Sequence, residues 1–132
     1  MIGLDTNVLV RYVTQDDAAQ ARVLDRFFGE PSGRRYFVSV PVLCELTWVL
    51  TSLYGHDRSE VARVLEAIVA TRQLVVEDKD AVRAALADYR AGRAGFSDYL
   101  IGRRHQDAGC EYTATFDRKL KGATAFRVLP AR

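Results

Sequence analysis

The sequence predicts an α/β fold, a parallel sheet covered by helices. Two observations carry this. Short apolar runs alternate with longer segments whose apolar positions recur at helical spacing, the alternation that a parallel sheet with helical crossovers requires. Glycine and proline stand between these segments, and no repeat, low-complexity tract or linker interrupts them.

The first run, Ile2 to Leu4, reads as a short buried strand ending at Asp5, with Thr6 and Asn7 placed to open the next helix. A second helix runs from about Asp17 to Phe28 and stops at the breakers Gly29, Pro31 and Gly33. Tyr36 to Ser39 is the second strand. Pro41 suits the first turn of a helix through Leu50 to about Tyr54, which Gly55 ends. Asp57 or Arg58 to Thr71 is amphipathic, and Leu74 to Val76 is the third strand. Asp78 to Arg90 is helical, the glycines at 92 and 95 break it, and a further helix spans Ser97 to Ala108 before Gly109. Tyr112 to Ala114 is the fourth strand, a short helix follows Asp117, and Phe126 to Leu129 is the fifth strand.

The 132 residues, 48% hydrophobic and 27% charged, suit one domain spanning 1–132 with an apolar core. No apolar run approaches the ~18–20 residues of a membrane span, and no charged head with a cleavage site opens the chain. A cytoplasmic protein without membrane attachment is expected. Cys44 and Cys110 lack the spacing of a zinc site or disulfide framework and are expected to be buried, inert thiols. A net charge of +2 is too balanced to announce a nucleic-acid binder. Sixteen of the 19 cations are nevertheless Arg, the residue that holds phosphates in a bidentate fork.

Most of the 17 acids lie in polar stretches, among them Asp16, Asp57, Glu77, Asp78 and Asp88, and read as solvated surface charge. Four do not. Asp5 ends an apolar strand in IGLDTNVLV, Glu45 is flanked by hydrophobics in VLCELTWVL, Asp98 lies in GFSDYLIG, and Asp117 closes YTATFD. Taken singly, Asp5, Asp98 and Asp117 suit helix caps or structural ion pairs. Glu45 shares a helix face with Val42 and Val49, which predicts a core-facing stripe. Strand and helix order places all four at the carboxyl edge of the sheet, where open α/β sheets bind ligands. Four converging carboxylates repel one another unless a divalent cation neutralises them. With oxygen ligands alone, that ion is Mg²⁺ or Mn²⁺, which can activate water for hydrolysis of a phosphodiester.

D-T-N-V-L-V at 5–10, V-L-C-E-L around Glu45, F-S-D-Y-L-I at 96–101 and T-F-D at 115–117 together resemble the PIN-domain family, in particular VapC toxins of toxin–antitoxin pairs. The resemblance spans essentially the whole chain. It implies a three-layer α/β/α domain with a five-stranded parallel sheet, and a Mg²⁺- or Mn²⁺-dependent endoribonuclease. It implies further a homodimer, and a heteromer with a cognate antitoxin that inhibits it. Asp5, Glu45, Asp98 and Asp117 would hold the metal, Thr6 or Asn7 would support Asp5, and Thr115 would orient Asp117 or a water. The RNA ends left would be 5′-phosphate and 3′-hydroxyl. Tyr99 and Leu120 depart from the family pattern, which has a small residue after the third acid and commonly an aromatic after T-x-D. Tyr99 either narrows the groove and stacks on a base or packs between helices.

His56 and His105 have no partner at catalytic spacing and are expected at the surface. Arg11, Arg103, Arg104, Arg118, Lys119 and Lys121 are candidates for gripping RNA, with a solvated charged face as the alternative. Trp48 is expected to pack or to line a protein interface. Two rival functions remain. A phospho-aspartate enzyme would need an Asp two residues after Asp5, where Asn7 stands, or an adjacent acidic pair with a distant lysine, and Lys is scarce. A PIN-like scaffold that binds RNA or protein without cutting needs no intact acid set, whereas all four acids are present.

Overall fold

The computed structural model describes residues 1–29 and 33–130. Of the predicted breakers, Pro31 lies outside them. The chain forms two compact units, Met1–Glu77 and Asp78–Arg132.

The first unit contains β1 (Ile2–Gly3), α1 (Thr6–Thr14), α2 (Ala18–Phe28), β2 (Tyr36–Val38), α3 (Val40–Ser52), α4 (Arg58–Ala70) and β3 (Leu74–Val76). The strands form a parallel ladder in the order β1-β2-β3, with Ile2 opposite Tyr36 and Tyr36 opposite Leu74. Its core is aliphatic. Leu9 of α1, Val38 of β2, Leu43, Leu46 and Leu50 of α3 and Leu65 of α4 are wholly buried, each stabilising the unit by roughly 1.5–3 kcal/mol relative to an exposed side chain. An aromatic cluster closes one side, where Tyr36 packs on Phe27 and Phe28 and donates its hydroxyl to the Phe27 carbonyl (3.1 Å). Side chains start the helices. Asp57 and Glu60 form a reciprocal capping box at α4, and Asp17 caps α2.

The second unit contains α5 (Lys79–Ala91), α6 (Phe96–Asp107), β4 (Thr113–Thr115), a 3-10 turn (Arg118–Leu120) and β5 (Phe126–Val128). Strands β4 and β5 pair in parallel, Thr113 opposite Phe126. Helices α5 and α6 pack on one another with Tyr89 edge-on to Phe96, and Arg103 clasps Asp88 through two hydrogen bonds of 2.8 and 2.9 Å. Close approach selects two glycines. A Cβ at Gly92 would collide with the Tyr99 hydroxyl, and one at Gly102 would lie 2.5 Å from the Phe126 ring. Gly109, at φ +94°, takes the left-handed turn that ends α6.

All five predicted strands form and every pairing is parallel, as an α/β fold requires. The hydrogen-bonded ladders are two, of three and two strands, rather than one of five. Strands this short offer few ladder groups, β1 having two residues and the others three. Element boundaries fall within about two residues of expectation, with two informative shifts. Ser39 is the cap of α3 rather than the end of β2, its hydroxyl accepting from Val42 N–H (3.4 Å). The segment after Asp117 is a single 3-10 turn.

Candidate active site

Three of the four acids sit where a helical segment begins. Asp5 follows β1 and is itself the cap of α1, Oδ1 accepting the Thr6 N–H at 2.8 Å. The helix opens at Thr6 and Asn7, as expected, with Asp5 as its cap; the carboxylate is a strong acceptor for the free N–H groups there. Asp98 is the third residue of α6, and its Oδ2 accepts the Gly95 N–H at 3.1 Å. Asp117 follows β4 by two residues, and its Oδ1 accepts the Lys119 N–H at 2.9 Å. In each carboxylate one oxygen is anchored by the backbone. The other accepts no hydrogen bond among the described residues.

Glu45 differs. It lies on the exposed side of α3, with no hydrogen bond or ion pair among the described residues. The expected core-facing stripe through Val42, Glu45 and Val49 is therefore corrected. Leu43, Leu46 and Leu50 take the core at the same three-and-four spacing, and the two valines flank it half-buried. Glu45 is thus an acid with apolar neighbours in sequence and a solvent-facing head.

The supporting residues can also be placed. Thr115 Oγ1 accepts the Asp117 N–H at 3.0 Å, which fixes the turn that carries that acid. Asn7 is exposed and makes no side-chain bond to Asp5 among the described residues; it lines a recess of about 370 Å³ between α1 and α2 with Arg11 and Gln20. In the second unit, His105 Nδ1 meets Thr113 Oγ1 at 2.8 Å and Gly102 abuts Phe126, so the end of α6 lies beside the starts of β4 and β5. The beginning of α6, with Asp98, accordingly points toward the carboxyl ends of those strands, the side on which Asp117 lies. In the first unit Asp5 follows β1, and α3, carrying Glu45, leaves the carboxyl end of its neighbour β2. Among the described residues, no three His, Cys, Asp or Glu side chains are gathered into a ligand group.

One acid escaped the sequence reading. Glu77, taken for a solvated charge in the run E-D-K-D, stands half-buried just past β3, where Oε1 accepts the Val40 N–H at the start of α3 (2.7 Å). Its position directly after V-V, like that of Asp5 after its strand, was the available signal. Tyr99 is buried, and its hydroxyl accepts from the N–H groups of Arg93 (3.1 Å) and Ala94 (3.3 Å), so it packs between helices. Trp48 is 60% exposed and packs little within the chain. Cys44 is half-buried, but Cys110 is exposed, contrary to expectation, because it follows the turn at Gly109. His105 is exposed; His56 is half-buried, with a buried Nδ1 that has no hydrogen-bond partner among the described residues.

Several candidate RNA cations are already engaged. Arg11 bonds Gln20, Asp16 and the Tyr54 hydroxyl, and Tyr54 donates to Asp16 at 2.8 Å. That bond, with a second from Thr14, holds the Asp16 carboxyl below the usual range. Arg103 is bound to Asp88, which raises its pKa further, and Arg104 pairs with Asp78 at 3.2 Å. Arg118, Lys119 and Lys121 are exposed.

The PIN domain family matches residues 2–125, and the chain belongs to that family. Among curated proteins, the chain is similar to a VapC ribonuclease of Aquifex aeolicus (strain VF5). The two are 28% identical over 120 residues, covering 89% of this chain and 88% of the relative. No solved structure matches.

Proposed function

We propose that the chain is a single-domain, Mg²⁺- or Mn²⁺-dependent endoribonuclease of the VapC type, the toxin of a toxin–antitoxin pair. The observation that carries this reading is that Asp5, Glu45, Asp98 and Asp117 all fall inside the span 2–125 that matches the PIN domain. The likeness to a protein named VapC ribonuclease supports RNA as the substrate. The donor set suits a hard cation. It is all carboxylate, and Asp5, Asp98 and Asp117 each keep one oxygen fixed by a backbone N–H and present the other.

In this reading the two ladders belong to one five-stranded sheet with helices on both faces. Asp5, Asp98, Asp117 and Glu45 hold the metal. The ion supplies positive charge for the phosphodiester oxygens and a more acidic water. With no histidine in the set, a carboxylate accepts the proton of the attacking water. Water oxygen bonds to phosphorus, the P–O3′ bond breaks, and the departing 3′ oxygen is protonated, leaving 5′-phosphate and 3′-hydroxyl ends. Thr115 keeps Asp117 in position, and the Thr6 N–H holds Asp5 at the start of α1. Exposed Trp48 and Leu53 on and just beyond α3 are offered to a second copy of the chain or to the antitoxin. The described helices include none long and apolar enough to cross a membrane, in keeping with a cytoplasmic setting.

The test is cleavage of labelled structured and single-stranded RNAs by antitoxin-free protein with Mg²⁺ or Mn²⁺. We expect cutting that EDTA abolishes and that Asp5→Ala or Asp98→Ala lowers by about 10²–10⁴-fold, the loss typical of a positioned acid–base group. Folded variants cutting at the wild-type rate would overturn the site, and metal-independent cutting would overturn the mechanism.

A further inference from the structure

The second unit contains a recess of about 370 Å³ whose walls come from the end of α5, the turn at 92–93, α6 and residues 119–126. Four cations line it, Arg93, Arg103, Lys119 and Lys121, against one carboxylate, Asp88. The two-bond clasp with Arg103 neutralises Asp88. Arg93, Lys119 and Lys121 remain exposed and have no ion-pair partner among the described residues. The floor is apolar, built from the Tyr99 and Phe126 rings and small alanines. The Arg93 N–H is tied to the Tyr99 hydroxyl, which fixes that rim. Lys119, which also lines the recess, donates its backbone N–H to Asp117, and Tyr99 directly follows Asp98.

We propose that this recess seats the RNA backbone next to the bond that is cut, with Arg93, Lys119 and Lys121 on the phosphates and the apolar floor under a ribose; the proposal rests on the nuclease reading above. Three unpaired cations call for a polyanion. Position favours RNA over an acidic protein segment. An acidic segment would bring its carboxylates up to Asp98 and Asp117, whereas an RNA chain brings to them the phosphodiester on which they act. Arg103 is a positioning residue, since its guanidinium is committed to Asp88.

The experiment uses the full chain carrying Asp5→Asn, a change in the other unit, so that RNA is bound and not cut. A labelled single-stranded RNA is titrated in EDTA at several KCl concentrations, with the double variant Arg93→Ala/Lys121→Ala, each single variant, and Arg72→Ala as an exposed cation of the first unit. The double variant is expected to raise Kd about tenfold or more. It should also flatten the dependence of log K on log[salt] by about 1.4, since each phosphate contact to a single strand contributes about 0.7. The singles should flatten it by about 0.7 each, Arg72→Ala should change neither quantity, and Arg93→Lys/Lys121→Arg should restore both. Unchanged affinity and slope in folded double and single variants would overturn the proposal, while metal- and Asp5-dependent cutting by the wild type would leave the nuclease reading standing. Absence of RNA binding by the parent would overturn both. Loss of binding to an oligoglutamate peptide with RNA binding intact would assign the recess to an acidic protein partner and overturn the proposal.

Discussion

The first unit presents its acids in two ways, Asp5 on a backbone N–H and Glu45 on a helix seated in the core, and the second in one. The first is organised by its core. Residues of β2 and β3 are buried at both strand ends, four leucines of α1 and α3 are wholly buried, and Glu45 stands free on the outer side of α3. The second has strands that are only half-buried, and both of its acids are tied by backbone N–H groups to the turns that carry them. Its polar ties are specific: Arg103 to Asp88 across α5 and α6, and, close in sequence, Thr115 to Asp117 and Tyr99 to the 93–94 backbone. A carboxylate can therefore be positioned by a rigid helix seated in a core or by hydrogen bonds at a helix start. The second device also leaves cations free beside it.

Substitutions can break this contrast. The largest effect on stability is expected for Leu46→Ala in α3, which removes a wholly buried side chain and should cost about 2–5 kcal/mol, read by chemical denaturation. A loss below about 1 kcal/mol would show that the first unit does not depend on this packing. Gly92→Ala should cost about 1–3 kcal/mol, because the added methyl meets the Tyr99 hydroxyl and must displace it from the Arg93 and Ala94 N–H groups. Pairing it with Tyr99→Phe sharpens the reading, since the penalty of the alanine should fall once the hydroxyl is gone.

The smallest effect is a pH dependence in the first unit. Ionised Asp16 is stabilised by Tyr54 and Thr14, so its contribution is complete above the ordinary carboxylate range and is lost as pH falls through its lowered folded-state pKa. Tyr54→Phe should therefore be less stable than the wild type at neutral pH, with the gap narrowing in acid. A gap that widened toward low pH would contradict the assignment of that hydrogen bond.

Periodicity and breakers were enough to read the elements, because α1, α2, α4 and α5 are amphipathic and glycine, proline or capping residues stand between the segments. What stayed hidden depended on contacts between distant positions. Glu45 was read as buried because a three-and-four spacing fits two neighbouring stripes of a helix, and only packing decides which of them takes the core. Glu77 was lost in a charged run, although it caps a helix that begins 37 residues earlier in the chain. Arg103 and Arg104 looked available for RNA because Asp88 and Asp78 lie well before them in sequence and meet them only once α5 and α6 pack. Asp5, Asp98 and Asp117 stood out for a local reason that survives in the structure, a carboxylate at the start of a helical segment, whereas Glu45 stands mid-helix and exposed.

The central claim is the proposed one, that Asp5, Glu45, Asp98 and Asp117 hold a divalent metal. Mn²⁺ binding, followed by the signal of the free ion, should be compared in the wild type, Asp5→Asn, Asp117→Asn and the double variant. A single centre predicts that each single change weakens the same binding event by more than about tenfold, with the double variant adding little beyond either one. Independent, additive losses, or unchanged binding in either single variant, would contradict it.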